Sequence, residues 1–133
     1  MKSLPESDDT LFVRTDFTDQ DDWLALWDAV TTPNEDDFLA NLRLVDDREY
    51  QDATPEQLTA LAPDWSLLVV ADKTALTAPE NPLLVIYARD GEVDQLRVVP
   101  EELWSIENNI SLANMDWEEF ADAADDDGVF RGF

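Results

Sequence analysis

Three aspartates, Asp16, Asp46 and Asp72, each follow an apolar segment of the chain. If these segments are parallel strands, the carboxylates gather along one sheet edge, where open α/β sheets usually place their binding sites. Carboxylate oxygens suit Mg²⁺ or Ca²⁺, and Arg14 and Lys73 could hold an anionic substrate beside such an ion. One hypothesis is therefore a divalent-metal-dependent hydrolase or transferase. The alternative is structural, because aspartate commonly begins the loop after a strand.

A second candidate site combines an aromatic side chain with amides, at Trp104, Asn108, Asn109 and Asn114. Trp is a frequent anchor in protein–protein interfaces, so this set is suited to binding a protein partner. The alternative is that the Asn side chains satisfy backbone groups of an irregular link between two helices. Both interpretations start from the same pattern.

Composition excludes several classes of chemistry. The chain has no Cys and no His, which removes disulfides, thiol redox chemistry, Cys/His zinc sites and histidine-dependent nucleophiles. Its three Gly include no Gly-rich run before a helix, so no phosphate-binding loop is predicted. Acid–base catalysis by carboxylates is compatible with the composition, but no spacing singles out one pair. No cofactor is expected except Mg²⁺ or Ca²⁺ under the metal hypothesis.

The formal net charge is -24 in 133 residues. Such a field repels nucleic acid and anionic membranes and attracts basic partners. We therefore expect a basic protein partner, no direct nucleic-acid binding and no membrane association, and we make no prediction of oligomeric state. Alternatives are mimicry of nucleic acid by spaced carboxylates, or an acidic surface that serves only solubility or adaptation to high salt.

Hydrophobic patterning predicts a mixed sheet of about five strands with helices packed on it, in the order β-α-β-α-β-β-β-α-α. Residues 1–10 are expected to be mobile, and residues 11–133 to form a single α/β domain. The Asp90-Gly91 pair predicts a hairpin between the last two strands. The strands are predicted at residues 11–17, 41–46, 65–72, 83–88 and 93–99.

Helix starts are predicted from capping residues at Thr18, Thr54, Pro100 and Asp116. The Asn108-Asn109 pair is expected to end the helix that Pro100 begins, because Asn favours turns. Residues 110–113 are then expected to be an extended link, with Ile110 and Leu112 facing the core. The aromatic C-terminus, residues 128–133, is expected to dock on the body of the protein.

In four motifs the chain resembles a family of small acidic domains of unknown function from high-GC Gram-positive bacteria. They are VRTDFTD at residues 13–19, VADKTALT at 70–77, ELWSIENNISLANMDWEEF at 102–120 and DGVFRGF at 127–133. The resemblance extends over residues 11–133 and implies a bacterial, cytoplasmic, single-domain protein without an assigned activity. The absence of an apolar signal segment near Met1 also leads us to expect a cytoplasmic protein. We therefore predict a non-enzymatic acidic protein-binding domain, with an immunity-like or inhibitor-like role toward a basic partner.

Overall fold

The computed structural model describes residues 1–63, 66–89 and 91–133 and contains a six-stranded mixed sheet. The strand order is β2-β1-β3-β4-β5-β6. The strands are β1 (Thr10–Arg14), β2 (Leu42–Val45), β3 (Ser66–Ala71), β4 (Leu83–Arg89), β5 (Glu92–Val98) and β6 (Val129–Phe130). The predicted mixed α/β class is confirmed, with one strand more than expected. The predicted strand start at Trp65 and the turn residue Asp90 lie outside the described residues.

The sheet is parallel from β2 to β3 and antiparallel from β3 to β5, and its last strand, β6, runs parallel to β5. Strand β1 lies between β2 and β3 and runs parallel to both, with Phe12 opposite Leu44 and Val69. Strand β4 pairs antiparallel with β3 and β5, and Arg89 is opposite Glu92 at the hairpin. All residues of β1 and β3 are buried, which explains their nearly continuous apolar sequence.

Five α-helices in the described part of the chain pack against the sheet. They are α1 (Gln20–Thr31), α2 (Pro55–Ala60), α3 (Lys73–Thr77), α4 (Leu103–Ser111) and α5 (Trp117–Ala123). The capping box predicted at the start of α2 is present, because Thr54 and Gln57 bond reciprocally. At α1 the cap is Asp19, whose carboxylate accepts a hydrogen bond from the Asp22 N–H, so the prediction of Thr18 was wrong by one residue.

Helix α4 runs through the Asn pair that was expected to end it. Asn109 donates its side-chain N–H to the Ser105 carbonyl at 2.8 Å, within the helix. The helix ends at Ser111, and Ala113 then takes a left-handed conformation (φ 56°). Ile110 is therefore a buried helical residue, whereas Leu112 is 69% exposed. The prediction of an extended link that places Leu112 in the core was wrong.

Apolar side chains fill both faces of the sheet. On one face, helices α1, α4 and α5 contribute residues such as Trp23, Ile106 and Phe120. On the other face, the smaller core includes Tyr50, Leu58 and Leu4. The N-terminal segment that was expected to be mobile thus makes defined contacts, among them the hydrogen bond from the Leu4 N–H to the Leu61 carbonyl.

A short α-helix and a short strand were missed by the sequence-based prediction. Helix α3 begins directly after Asp72, and strand β6 pairs with the end of β5 through Val129 and Phe130. Both β6 residues are buried, which confirms docking of the C-terminal aromatic segment, although Phe133 is 75% exposed. In the described part of the chain, no helix is long and apolar enough to cross a membrane.

Candidate functional site

The three predicted aspartates lie at the same edge of the sheet. Strands β2, β1 and β3 are adjacent and parallel, so Asp46, Asp16 and Asp72 follow their carboxyl ends in that order. At this edge the chain leads from β1 to β2 on one side and from β3 to β4 on the other, and such a point is the usual ligand position in open α/β sheets. The sequence-based placement along one edge is therefore correct, and what each carboxylate contacts decides its role.

Asp16 holds the turn that leads into α1. Its Oδ1 accepts hydrogen bonds from the Thr18 N–H at 2.8 Å and from the Thr18 hydroxyl at 2.6 Å. The residue is 5% exposed, so these bonds stabilise a buried charge. Among the described side chains, Asp16 Oδ2 is the buried polar atom that has no hydrogen-bond partner in the protein.

Arg14 occupies the middle of this edge with a buried guanidinium. It is 3% exposed, and its carbon centre lies 4.4 Å from the Phe17 ring centroid and 4.7 Å from that of Trp23. Its Nε donates to the Asp16 carbonyl at 3.1 Å, and one terminal nitrogen donates to Gln20 Oε1 at 3.0 Å. Arg14 is therefore part of the packed interior and is held by aromatic faces and fixed acceptors.

Asp72 is engaged twice by the protein itself. Its Oδ1 accepts from the Ala75 N–H at 3.0 Å and so caps α3. Both of its oxygens also accept from Arg97, each at 2.8 Å, in a bidentate pair. Asp46 lies 3.5 Å from an Arg14 nitrogen. The carboxylates at this edge thus have separate partners, and the described residues include no group of three or more acidic side chains placed to hold a metal ion.

The Asn and Trp residues of the second candidate site divide into two groups. Asn109 and Asn114 are joined across the turn that follows α4, where the Asn109 carbonyl accepts from the Asn114 N–H at 2.9 Å. Asn108 instead reaches the loop of residues 32–41: its side chain donates to the Leu39 carbonyl and accepts from the Asn41 amide, both at 3.3 Å. Asn109 therefore bonds within α4 and the turn that follows it, whereas the Asn108 side chain makes a tertiary contact.

Trp104 faces the same loop, one turn before Asn108 on α4. Its ring stacks on Phe38, with centroids 4.5 Å apart and planes 11° apart. Phe38 is 48% exposed and is followed by Leu39, which is 37% exposed. Sequence analysis missed this aromatic pair, although two adjacent large apolar residues within an acidic loop are a visible signal.

Between the end of α1, this loop and the start of α4 lies a cavity of about 310 Å³. We call it the Phe38 groove. Its described lining includes two acids and no Lys or Arg. The lining residues are Asp28, Ala29, Val30, Thr32, Pro33, Asn34, Phe38, Leu39, Ala40, Pro100, Glu101, Leu103 and Trp104.

A buried glutamate connects α4 to the sheet beside this loop. Glu107 is 2% exposed, and its Oε2 accepts from the Thr10 hydroxyl at 3.0 Å and from the Ser111 hydroxyl at 2.6 Å. Its Oε1 accepts from the Asn41 backbone N–H at 2.5 Å. The bonds to Thr10 and Asn41 connect residues far apart in the chain, so sequence analysis had no local signal for this network.

Residues 9–133 match the model of a family described as Domain of unknown function (DUF6924). The chain belongs to this family. No curated relative matches it. The expected membership of a family of unknown function is thereby confirmed.

This DUF6924 domain is strongly acidic because it has 32 acidic and 8 basic residues, and several of the basic side chains are paired with its own acids. Among the described residues, the buried acids are Asp16 and Glu107. Ion pairs to carboxylates involve Lys2, Arg14, Arg89, Arg97 and Arg131.

Arg131 gives the clearest example of this pairing. Its guanidinium bonds to Glu80, Asp125 and Asp127 at 2.7 to 3.1 Å. These hydrogen bonds hold the pKa of Glu80 and that of Asp127 below their ordinary values, because they stabilise the charged carboxylates. All three guanidinium nitrogens of Arg131 therefore donate hydrogen bonds to neighbouring acids.

Proposed function

We propose that this domain is a non-enzymatic acidic module that binds a protein with a basic surface, in an inhibitor-like or immunity-like role. The observation that carries the proposal is the distribution of charge. With 32 acidic and 8 basic residues, and several of those bases paired with the protein's own carboxylates, the chain carries a large excess of negative charge. A basic partner is steered toward such a surface over distances of about a Debye length.

The partners of the strand-end residues support the non-enzymatic part of the proposal. Asp72 is neutralised by Arg97, Asp16 binds its own turn, and Arg14 is packed between aromatic rings. Each of these side chains makes contacts within the protein that account for its residue type. The proposal includes a cytoplasmic location in a bacterial cell, which fractionation of the source cells would check.

The experiment is affinity capture followed by reconstitution with purified components. The immobilised domain is exposed to lysate of the source organism at low ionic strength, beside a resin that carries an unrelated protein of similar pI. We expect specific recovery of a basic protein, and the purified pair should bind in calorimetry with an affinity that falls as KCl is raised, because salt screens charge pairs at the rim of an interface. Recovery of the same proteins on both resins, or affinity that does not respond to salt, would contradict the proposal.

A further inference from the structure

We propose that the Phe38 groove binds one apolar or aromatic side chain of the basic partner, from a segment in which Lys or Arg flanks that anchor. This inference rests on the proposed function, since it assumes a basic partner and assigns the place where it docks. The juxtaposition that carries it is an exposed Phe38 ring stacked on Trp104, beside a cavity with acidic residues around it.

The first argument is the exposed apolar surface. Phe38 and Leu39 are adjacent in the chain, and both are exposed beside the half-buried ring of Trp104. Clustered exposed apolar groups commonly mark interaction sites, whereas single ones do not. A cavity of about 310 Å³ is large enough to hold several water molecules. Replacing that water by an apolar side chain is favourable because it removes apolar surface from water.

The second argument is that the loop holds Phe38 in place without a partner. The Asn34 side chain accepts hydrogen bonds from the backbone N–H groups of Asp36 and Phe38, both at 2.9 Å. The Asn34 N–H donates to the Phe38 carbonyl at 3.0 Å, and Asp37 takes a left-handed conformation with φ of 62°. This closed turn positions the aromatic ring in advance, which reduces the entropy lost on binding.

The far end of the loop is fixed by α4. Asn108 bonds to the Leu39 carbonyl, and the buried Glu107 accepts from the Asn41 N–H. Trp104 comes from the same helix and forms one wall of the groove. The groove is therefore built on an element that is itself anchored in the core, as effective binding sites require.

The third argument is charge, and it selects the occupant. Asp28 and Glu101 line the groove, and Glu35, Asp36 and Asp37 immediately precede Phe38 with exposed side chains. An apolar centre with an acidic surround is complementary to an apolar side chain that has cations on either side. An acidic or uncharged segment would gain the apolar contact but would lose the attraction at the rim.

The test uses two synthetic peptides of equal charge as probes. One has Phe-Leu between pairs of lysines, and the other has Ala-Ala at the same central positions. We expect the Phe-Leu peptide to bind about tenfold more tightly, since an anchor that fills a pocket contributes a large share of binding energy. The Trp104 indole N–H signal in NMR spectra, assigned with Trp104→Phe, should shift with the Phe-Leu peptide only.

Protein variants separate the groove from the general negative field. Phe38→Ala should reduce Phe-Leu binding to the level of the Ala-Ala peptide, and Asn34→Ala should weaken it several-fold while the Phe38 ring is retained. The matched control is Leu24→Ala, because Leu24 is a 52% exposed apolar residue on α1 outside the groove lining. It should leave both affinities unchanged, and urea unfolding verifies that every variant is folded.

The outcomes distinguish this inference from the proposed function. Equal affinity of the two peptides, unaffected by Phe38→Ala, would overturn the groove assignment while binding of cationic segments stands. Failure of both peptides to bind at low salt would overturn both. Self-association of the free protein that Phe38→Ala abolishes would identify a second copy of the chain as the occupant, and would also overturn the inference.

Discussion

Replacing Asp72 tests whether the strand-end carboxylates are structural. In Asp72→Asn the side chain still has an oxygen that can accept from the Ala75 N–H, but the bidentate pair with Arg97 is lost. In Asp72→Ala both interactions are lost. A metal-ligand role would instead leave the stability of the metal-free protein unchanged or increased, because removing a ligand relieves repulsion between neighbouring acids.

The magnitudes follow from the geometry. The two hydrogen bonds to Arg97 are both 2.8 Å long, and each side chain of the pair is 26% exposed. The pair lies between the surface case, worth about 0 to 1 kcal/mol, and the buried case, where removal of one partner costs about 3 to 5 kcal/mol. We expect Asp72→Asn to cost about 1 to 2 kcal/mol. Asp72→Ala should cost about 1 kcal/mol more, which is the usual value of an N-cap.

The assay is urea unfolding followed by Trp fluorescence, because guanidinium is itself a salt and would screen the pair. A loss of 1 kcal/mol should also lower Tm by about 4 °C in a chain of this size. The control is Asp122→Asn on the exposed face of α5. At a net charge of -24, removing an unpaired negative charge should be neutral or slightly stabilising. If Asp72→Asn behaves like Asp122→Asn, the structural explanation of this carboxylate is refuted.

Three further predictions concern other buried or paired charges. Glu107→Ala should reduce the free energy of unfolding in urea by about 3 kcal/mol or more, because three hydrogen-bond donors lose their acceptor. Glu107→Gln should reduce it by about 1 kcal/mol. Equal losses of stability in the two variants would contradict this explanation. Mg²⁺ should raise the Tm of the wild type and of Asp16→Asn by no more than KCl of equal ionic strength does. The metal hypothesis instead requires that Mg²⁺ raise the Tm of the wild type further than KCl, and that Asp16→Asn lose this additional increase. Arg131→Ala should raise the pKa of Glu80 and that of Asp127 in NMR titrations. Because Arg131 lowers both folded-state pKa values, its stabilising effect should be present at neutral pH and disappear as the pH falls through those values; a stability difference that persists in acid would refute the explanation.

Local signals were sufficient for much of the fold. The buried strands β1 and β3 have nearly continuous apolar sequences, and the capping box of Thr54 and Gln57 indicates the start of α2. Parallel pairing of the first three strands follows from the alternation of strands and helices, which also placed three aspartates along one edge. These features depend on neighbours a few residues apart, so a single sequence contains them.

The features that were missed depend on distant partners or on competing local preferences. Asp72 follows a strand, as expected, but it also caps a five-residue helix whose apolar residues Ala75 and Leu76 become buried only in the assembled fold. The Asn108-Asn109 pair has a turn preference that the helix overrides, because Ile106 and Ile110 pack into the core on either side of it. Phe38 gains its significance from a stacking partner 66 positions later in the chain, and no periodicity reveals that contact.

Helix α4 unites the candidate site with the stability of the fold. Its inward side carries Glu107, which bonds to β1 and to the residue before β2, and its outward side carries Trp104 and Asn108, which contact the loop that presents Phe38. One helix therefore both anchors the amino-terminal ends of β1 and β2 and shapes the groove. A buried carboxylate is a costly choice for sheet–helix packing alone, since an apolar residue could fill the same space. Glu107 also accepts a hydrogen bond from the Asn41 N–H, and this bond fixes the end of the loop that forms the groove. An apolar residue could not make it.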